Sequence, residues 1–208
     1  VSGSTNRIGG LIGFNLGDSP ITQCYATGTV IGGSMVGGLI GNNESGLITD
    51  CFATGQVTAF TSEAGGLIGA NSDAVENCFA RGTVAGNSSL GGLVGSGGMV
   101  TASFWDINVG GPDNGIGTGL ATTQMRQQAT FESVGWAFGT VLAIYEGLSY
   151  PYLLNVEPPV QEGNYALRFD GAGDYVQILD PTGTPSGDNP YTVEVWCKAD
   201  AWDGPWEG

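Results

Sequence analysis

The chain has 208 residues, of which 38 are glycine and only 12% are charged, yet hydrophobic residues still make up 41%; a disordered polar tract is excluded and, with no Gly-X-Y period, so is collagen. A net charge of −15 with only five basic residues opposes any phosphate backbone as a partner. The absence of histidine removes the commonest general base and the commonest metal ligand.

The first element met along the chain is a repeat. Gly9-Gly10-Leu11-Ile12-Gly13 returns at Gly37 to Gly41, at Gly65 to Gly69, and as Gly91-Gly92-Leu93-Val94-Gly95, at intervals of 28, 28 and 26 residues. Val1 enters partway through this pattern, so the chain reads as a piece of a longer protein. A second signature lies between the blocks: ITQCYATGTV over residues 21–30, ITDCFATGQV over 48–57 and VENCFARGTV over 75–84. A degraded fourth copy runs from Val100 through Ser103-Phe104-Trp105 to Val109.

Each unit holds three short β-prone runs separated by Gly, Asn, Ser and Thr, with no room for a helix. Such runs cannot form a sheet alone, but stacking each unit on the next, at roughly 4.8 Å, pairs every strand with its equivalent and buries a continuous core. The predicted fold is all-β: a parallel β-solenoid, or β-helix, of about four coils over residues 1–109. Its ladders would be Leu11, Leu39, Leu67 and Leu93; Cys24, Cys51, Cys78 and Ser103; and Tyr25, Phe52, Phe79 and Phe104. Asn15, Asn43 and Asn71 follow the glycine blocks at one offset, where Asn either takes a left-handed turn or pairs amides between coils. Strand parity leaves open which of the cysteine and aromatic ladders faces inward.

Three of the four cysteines share one ladder position, so their Cβ atoms should lie about 4.8 Å apart, beyond the roughly 3.5–4.5 Å that a disulfide prefers. Free, packed thiols are expected, and a ladder does not converge on a metal ion. Cys197 reads as a half-buried strand residue.

These repeats resemble the GLUG motif, found in tandem in large secreted bacterial and archaeal surface proteins that include adhesins and some immunoglobulin-A-cleaving peptidases. The resemblance covers residues 1–109. It implies an extracellular, cell-surface stalk or display element, with any catalysis in other domains.

Residues 110–156 are dense in aromatics and begin with one short helix, N-capped by Thr122 or Thr123. A solenoid must cover its open terminal coil, and this segment is predicted to be that cap; an alternative is that its aromatics form a sugar-binding platform. Residues 157–163, with Pro158 and Pro159, read as a stiff linker. Residues 164–208 resemble the truncated start of a laminin-G-like or concanavalin-A-like jelly roll, on the strength of ALRFDGAGDYV at 166–176 and YTVEVW at 191–196. That resemblance implies a carbohydrate- or protein-binding module, sometimes with calcium, for which Asp170 and Asp174 are the candidate ligands; solvated turn acids are the alternative. No other cofactor is expected.

A catalytic β-helix needs carboxylates converging on one face. Here Asp50 aligns with Gln23 and Asn77, Glu44 with Ser72, and Glu63 with Arg7 and Met35, so none has a carboxylate at its own ladder position. No enzyme is expected. Nor is a membrane span, because the longest apolar runs are about five residues against the roughly 18–20 required. The expected function is a structural and adhesive extracellular scaffold whose partners are cell-surface or matrix glycans or proteins, or other copies of itself. The alternatives are a carbohydrate-binding or carbohydrate-active protein and a filament subunit. Two sequons, at Asn43 and Asn87, stand in the repeat region.

Overall fold

A computed structural model describes residues 1–154. The predicted linker (157–163) and jelly-roll segment (164–208), with Asp170, Asp174 and Cys197, lie outside the described residues.

The repeats wind into a parallel β-solenoid of four coils. The first three coils contribute to five ladders rather than the three predicted, and the fourth coil to four of the five. The first joins Ile8–Gly9, Val36–Gly37, Ala64–Gly65 and Leu90–Gly91. The second joins Ile12–Asn15, Ile40–Asn43, Ile68–Asn71 and Val94–Ser96. Ile21–Thr22, Ile48–Thr49, Ala74–Glu76 and Met99–Thr101 form the third. The fourth stacks Tyr25–Ala26, Phe52–Ala53, Phe79–Ala80 and Phe104–Asp106, and Thr118–Leu120 extends it. The fifth joins Val30–Gly32, Val57–Ala59 and Val84–Ala85.

The two extra strands arise because two runs that read as continuous are interrupted, the glycine-leucine run at Gly10–Leu11 and its equivalents and the cysteine-aromatic run at a left-handed corner. Another such corner, at Arg7, Met35, Glu63 and Ser89, precedes the first ladder with φ of 64°, 52°, 60° and 51°. Gln23, Asp50, Asn77 and Ala102 separate the third ladder from the fourth with φ of 52°, 53°, 49° and 45°. A left-handed residue turns the chain sharply, and a corner repeated in every coil bends the ribbon at the same place each time. Because these corners carry unlike side chains, no motif announces them.

The glycine blocks are explained by close approach. A Cβ on Gly37 or Gly65 would lie 1.9 Å from a backbone oxygen, and one on Gly38 or Gly66 would lie 2.1 or 2.2 Å from the carbonyl oxygen of the stacked glycine. Gly41 and Gly69 press on the backbone of Arg7–Ile8 and Met35–Val36. The interior holds two apolar clusters: a larger one around Leu39, Ile40, Leu67, Ile68 and Leu93, and a smaller one around Val30, Val36 and Val57. The glycines of the second position also face the alanine ladder, since a Cβ on Gly38 would meet the Ala53 methyl at 2.8 Å. In the fourth coil Trp105 takes the alanine's place over Gly92 and plugs the end of the larger core.

The predicted cap divides into two parts. Only the loop after Asp106 closes the last coil: Gly92 N donates to Pro112 O at 2.9 Å, Asn114 Nδ2 donates to Val94 O and Gly95 O, and Ile116 packs on the core. Residues 121–154 turn back along the side of the solenoid instead. The helix is Gln128–Glu132, later than expected, and its N-cap is Gln127. Thr122 and Thr123 do not cap it, because they lie in the turn that precedes the helix by several residues; there the Thr122 hydroxyl donates to Asp106 at 2.7 Å. At the other end Val1–Gly3 begin a further turn, Ser2 bridging to Ile31 in parallel, and Leu11 is 52% exposed although Leu39, Leu67 and Leu93 are fully buried.

Candidate functional site

Inside the coils the cysteines point to the core and the aromatics away from it. Cys51 and Cys78 are buried and Cys24 is half-buried, all with free thiols. Each Sγ donates to the carbonyl two residues back: Thr22 at 3.2 Å, Thr49 at 3.1 Å and Glu76 at 3.0 Å. Ser103 continues the pattern in the fourth coil, its hydroxyl donating to Thr101 O at 2.8 Å and accepting from Cys78 N at 3.0 Å. The thiols therefore do the hydrogen-bonding work that a serine does there. Burial pushes the Cys78 thiol well above its ordinary value, which holds it protonated and unreactive.

Asn15, Asn43 and Asn71 take the second of the two alternatives. They sit in strands, and Nδ2 of one donates to Oδ1 of the next, at 2.7 Å and 2.8 Å. Asn43 is fully buried and its Nδ2 also reaches Gly46 O at 3.1 Å. Its sequon is closed to modification while the chain is folded. Asn87 is exposed.

The aromatic ladder is the seat of residues 121–154. Tyr25 stacks on Phe52 at 5.2 Å and Phe52 on Phe79 at 4.9 Å between centroids. Phe52, Phe79 and Phe104 are then covered by Met125, Phe131, Trp136, Leu142, Tyr150 and Leu153. Trp136 Nε1 donates to Ala102 O, the carbonyl of a left-handed corner, at 2.8 Å. Tyr150 stacks on Phe79 at 6.2 Å, and the guanidinium groups of Arg81 and Arg126 lie 4.8 and 5.3 Å from its ring centroid. Its hydroxyl donates to the carboxylate of Asp106. Asp106 is fully buried and accepts from the Tyr150 and Thr122 hydroxyls and the Asn108 backbone N–H. Burial first, and then the Asp106 hydrogen bond, raise the Tyr150 pKa. The Asp106–Tyr150 latch, unmarked by any motif, fastens the side cover to the solenoid. Most of the segment's aromatics are thereby consumed in packing; of those it carries, Tyr145 is the exposed one, against Tyr152 at 5.5 Å.

Among the described residues, a shallow groove of about 590 Å³, largely open to solvent, lies on the second ladder's flank. The register partners Asn42, Ala70 and Ser96 line it, as do the left-handed corners Met35 and Glu63. Glu44, Ser72, Asn71 and Gly97 complete the lining. The groove thus brings together two carboxylates, Glu44 and Glu63, that ladder alignment keeps apart. Such alignment compares residues stacked on one another and is blind to neighbours from adjacent ladder positions. Ser96 Oγ donates to Glu63 Oε1 at 3.0 Å and orients it. Arg7 lies 3.9 Å from Glu44, both half-exposed, and covers the Phe14 ring at 4.2 Å. Among the described residues no three His, Cys, Asp or Glu side chains cluster as a metal site, and no helix is long and apolar enough to cross a membrane.

The model of the GLUG motif matches residues 4–31, 32–58 and 61–85, each span covering close to one turn of the solenoid. A protein of Evansella cellulosilytica, provisionally described as a Gly-rich membrane protein, is 40% identical over 75 residues, which is 33% of this chain and 9% of that protein. The chain thus spans less than a tenth of the curated relative it matches. No solved structure matches. The described region is a repeat-type β-solenoid built on three GLUG motifs.

Proposed function

We propose that the chain is a structural and adhesive element of an extracellular surface protein, in which the solenoid is a stiff stalk or spacer and the residues beyond it carry a binding module. The observation that supports this is the unbroken parallel register of all five ladders. Every strand is hydrogen-bonded along one axis, and the hydrogen-bonded asparagines and stacked rings run parallel to it, so bending would strain all of them together. The GLUG motifs and the Gly-rich membrane protein of E. cellulosilytica are consistent with a surface setting. The loop through Pro112 and Asn114 occupies the last coil's edge, which favours a stalk over a filament subunit growing from both ends.

The test uses the natural, full-length protein in its source cells. An antibody raised to residues 1–154 should decorate intact cells, and in-frame deletion of residues 1–109 should reduce attachment to glycan- or matrix-coated surfaces. Labelling seen only after permeabilisation, or attachment unchanged by the deletion, would sink the proposal.

A further inference from the structure

We propose that Tyr145 and Tyr152 form a modification site, at which a one-electron oxidant couples the two phenols into a dityrosine cross-link. The inference stands on the side cover alone, so its failure leaves the stalk reading intact. The ring centroids are 5.5 Å apart and the planes are tilted by 32°, and both backbones are held in place. Tyr152 lies in the strand Tyr152–Leu153, opposite Ala143. The carbonyl of Tyr145 accepts from Leu148 N and Ser149 N at 2.8 and 2.9 Å, and its N–H donates to Ser149 Oγ at 2.8 Å. Tyr145 is 43% exposed, so an oxidant in solution reaches it. Burial first, and then hydrogen bonding with Tyr145, push the Tyr152 phenol up to about 12. The second of these effects acts only over a short distance, so the two hydroxyl ends, and the ring carbons beside them, lie close together.

The other described tyrosines lack this arrangement. Tyr25 is exposed, but its ring neighbour is Phe52, which has no hydroxyl and forms no phenoxyl radical. Tyr150 is buried and its hydroxyl is committed to Asp106. In the coupling each phenol gives up one electron and its hydroxyl proton. The two phenoxyl radicals join through the carbons ortho to oxygen, and the hydrogen on each of those carbons passes to the oxygen, which restores two phenols. One C–C bond forms and two C–H bonds break. The oxidant is a peroxide activated to one-electron steps by a metal complex such as haem; hydrogen peroxide takes up the two electrons and two protons and leaves as two waters. Free phenoxyl radicals must meet by diffusion, whereas here the partner ring is already in place and the step is intramolecular. The cross-link ties the turn at residues 145–149 to the last strand of the cover.

The experiment oxidises the dilute 208-residue chain with persulfate and a ruthenium tris-bipyridine complex under light, an oxidant that takes electrons singly and also works in urea. The monomer is isolated by size, and its dityrosine emission and chymotryptic peptide masses are read. The pieces on either side of Leu148 should stay joined and be lighter by two hydrogens. Tyr145→Phe and Tyr152→Phe should each lower the monomer's emission about fivefold or more, Tyr25→Phe should leave it unchanged, and the chain unfolded in urea should yield about tenfold less of the joined peptide. An unchanged melting temperature shows that the variants keep the cover. The proposal is overturned if the joined peptide does not form, if either cover variant emits as strongly as the parent, or if the unfolded chain couples Tyr145 to Tyr152 as well as the folded one does.

Discussion

Glycine at one repeat position should be dispensable in one coil and essential in another. Gly28, Gly55 and Gly82 are equivalent in sequence. A Cβ on Gly28 meets nothing within 4 Å, whereas one on Gly55 would lie 2.0 Å from Gly28 O and one on Gly82 1.8 Å from Gly55 O. None of the three has a positive φ, so the difference is one of contact alone. At Gly82 the clash is about 1.2 Å inside the 3.0 Å that Cβ atoms respect, and it is against backbone, which cannot step aside. Adjacent coils would have to part by about that distance. The flanking bonds, Arg81 N to Ala53 O at 3.1 Å and Val57 N to Thr83 O at 2.8 Å, would then stretch to about 4 Å and fail. Two broken backbone bonds and the loosened packing put the cost of Gly82→Ala at about 3–5 kcal/mol. Gly28→Ala should be neutral or should stabilise by about 0.4–1 kcal/mol, through the lower entropy of the unfolded chain. Equilibrium urea unfolding followed by circular dichroism measures both. Equal losses for the two variants would refute the stacking argument, because the penalty would then belong to the motif and not to the coil beneath it.

Asn43→Ala removes the middle of the amide ladder, takes one of two acceptors from Asn15 Nδ2, which keeps Ser45 O, and strands Asn71 Oδ1, so unfolding free energy should fall by about 1–3 kcal/mol; a loss under about 0.5 kcal/mol would show that the ladder is incidental. Tyr150→Phe takes the hydroxyl from the buried Asp106 carboxylate and should cost about 1–3 kcal/mol in the same assay. It should also change the alkaline limb of stability. The folded Tyr150 pKa lies above its ordinary 10.0, so the unfolded chain loses its proton first; the contribution is whole below pH 10 and is lost as pH rises through the folded value. Tyr152, pushed up to about 12, acts in the same sense and should remain in the variant, leaving a shallower decline. With a thiol reagent at neutral pH, peptide mapping should find Cys24 modified well before Cys51 and Cys78, which should react only as fast as the solenoid opens; early labelling of Cys78 would contradict its burial.

Much of the architecture was legible in one dimension. A near-constant period of 26–28 residues with recurring Gly-Gly-Leu-x-Gly and cysteine-aromatic blocks dictates that like stacks on like, since only in-register stacking lets glycines meet glycines and short strands pair. The coils, their parallel sense and the stacking partners of the leucine, cysteine, aromatic and asparagine positions follow from that alone. Where the ribbon bends did not, because Arg7, Met35, Glu63 and Ser89 share a backbone conformation and no side-chain chemistry. Nor did the path of residues 121–154, because aromatic density promises burial without naming the surface; the ring ladder of Phe52, Phe79 and Phe104 and the Asp106 carboxylate draw the segment to the flank. Only the coiled structure sets Glu44 and Glu63 on one groove around Asn42, since residues brought together across a corner are neighbours through the winding of the chain and not through its period.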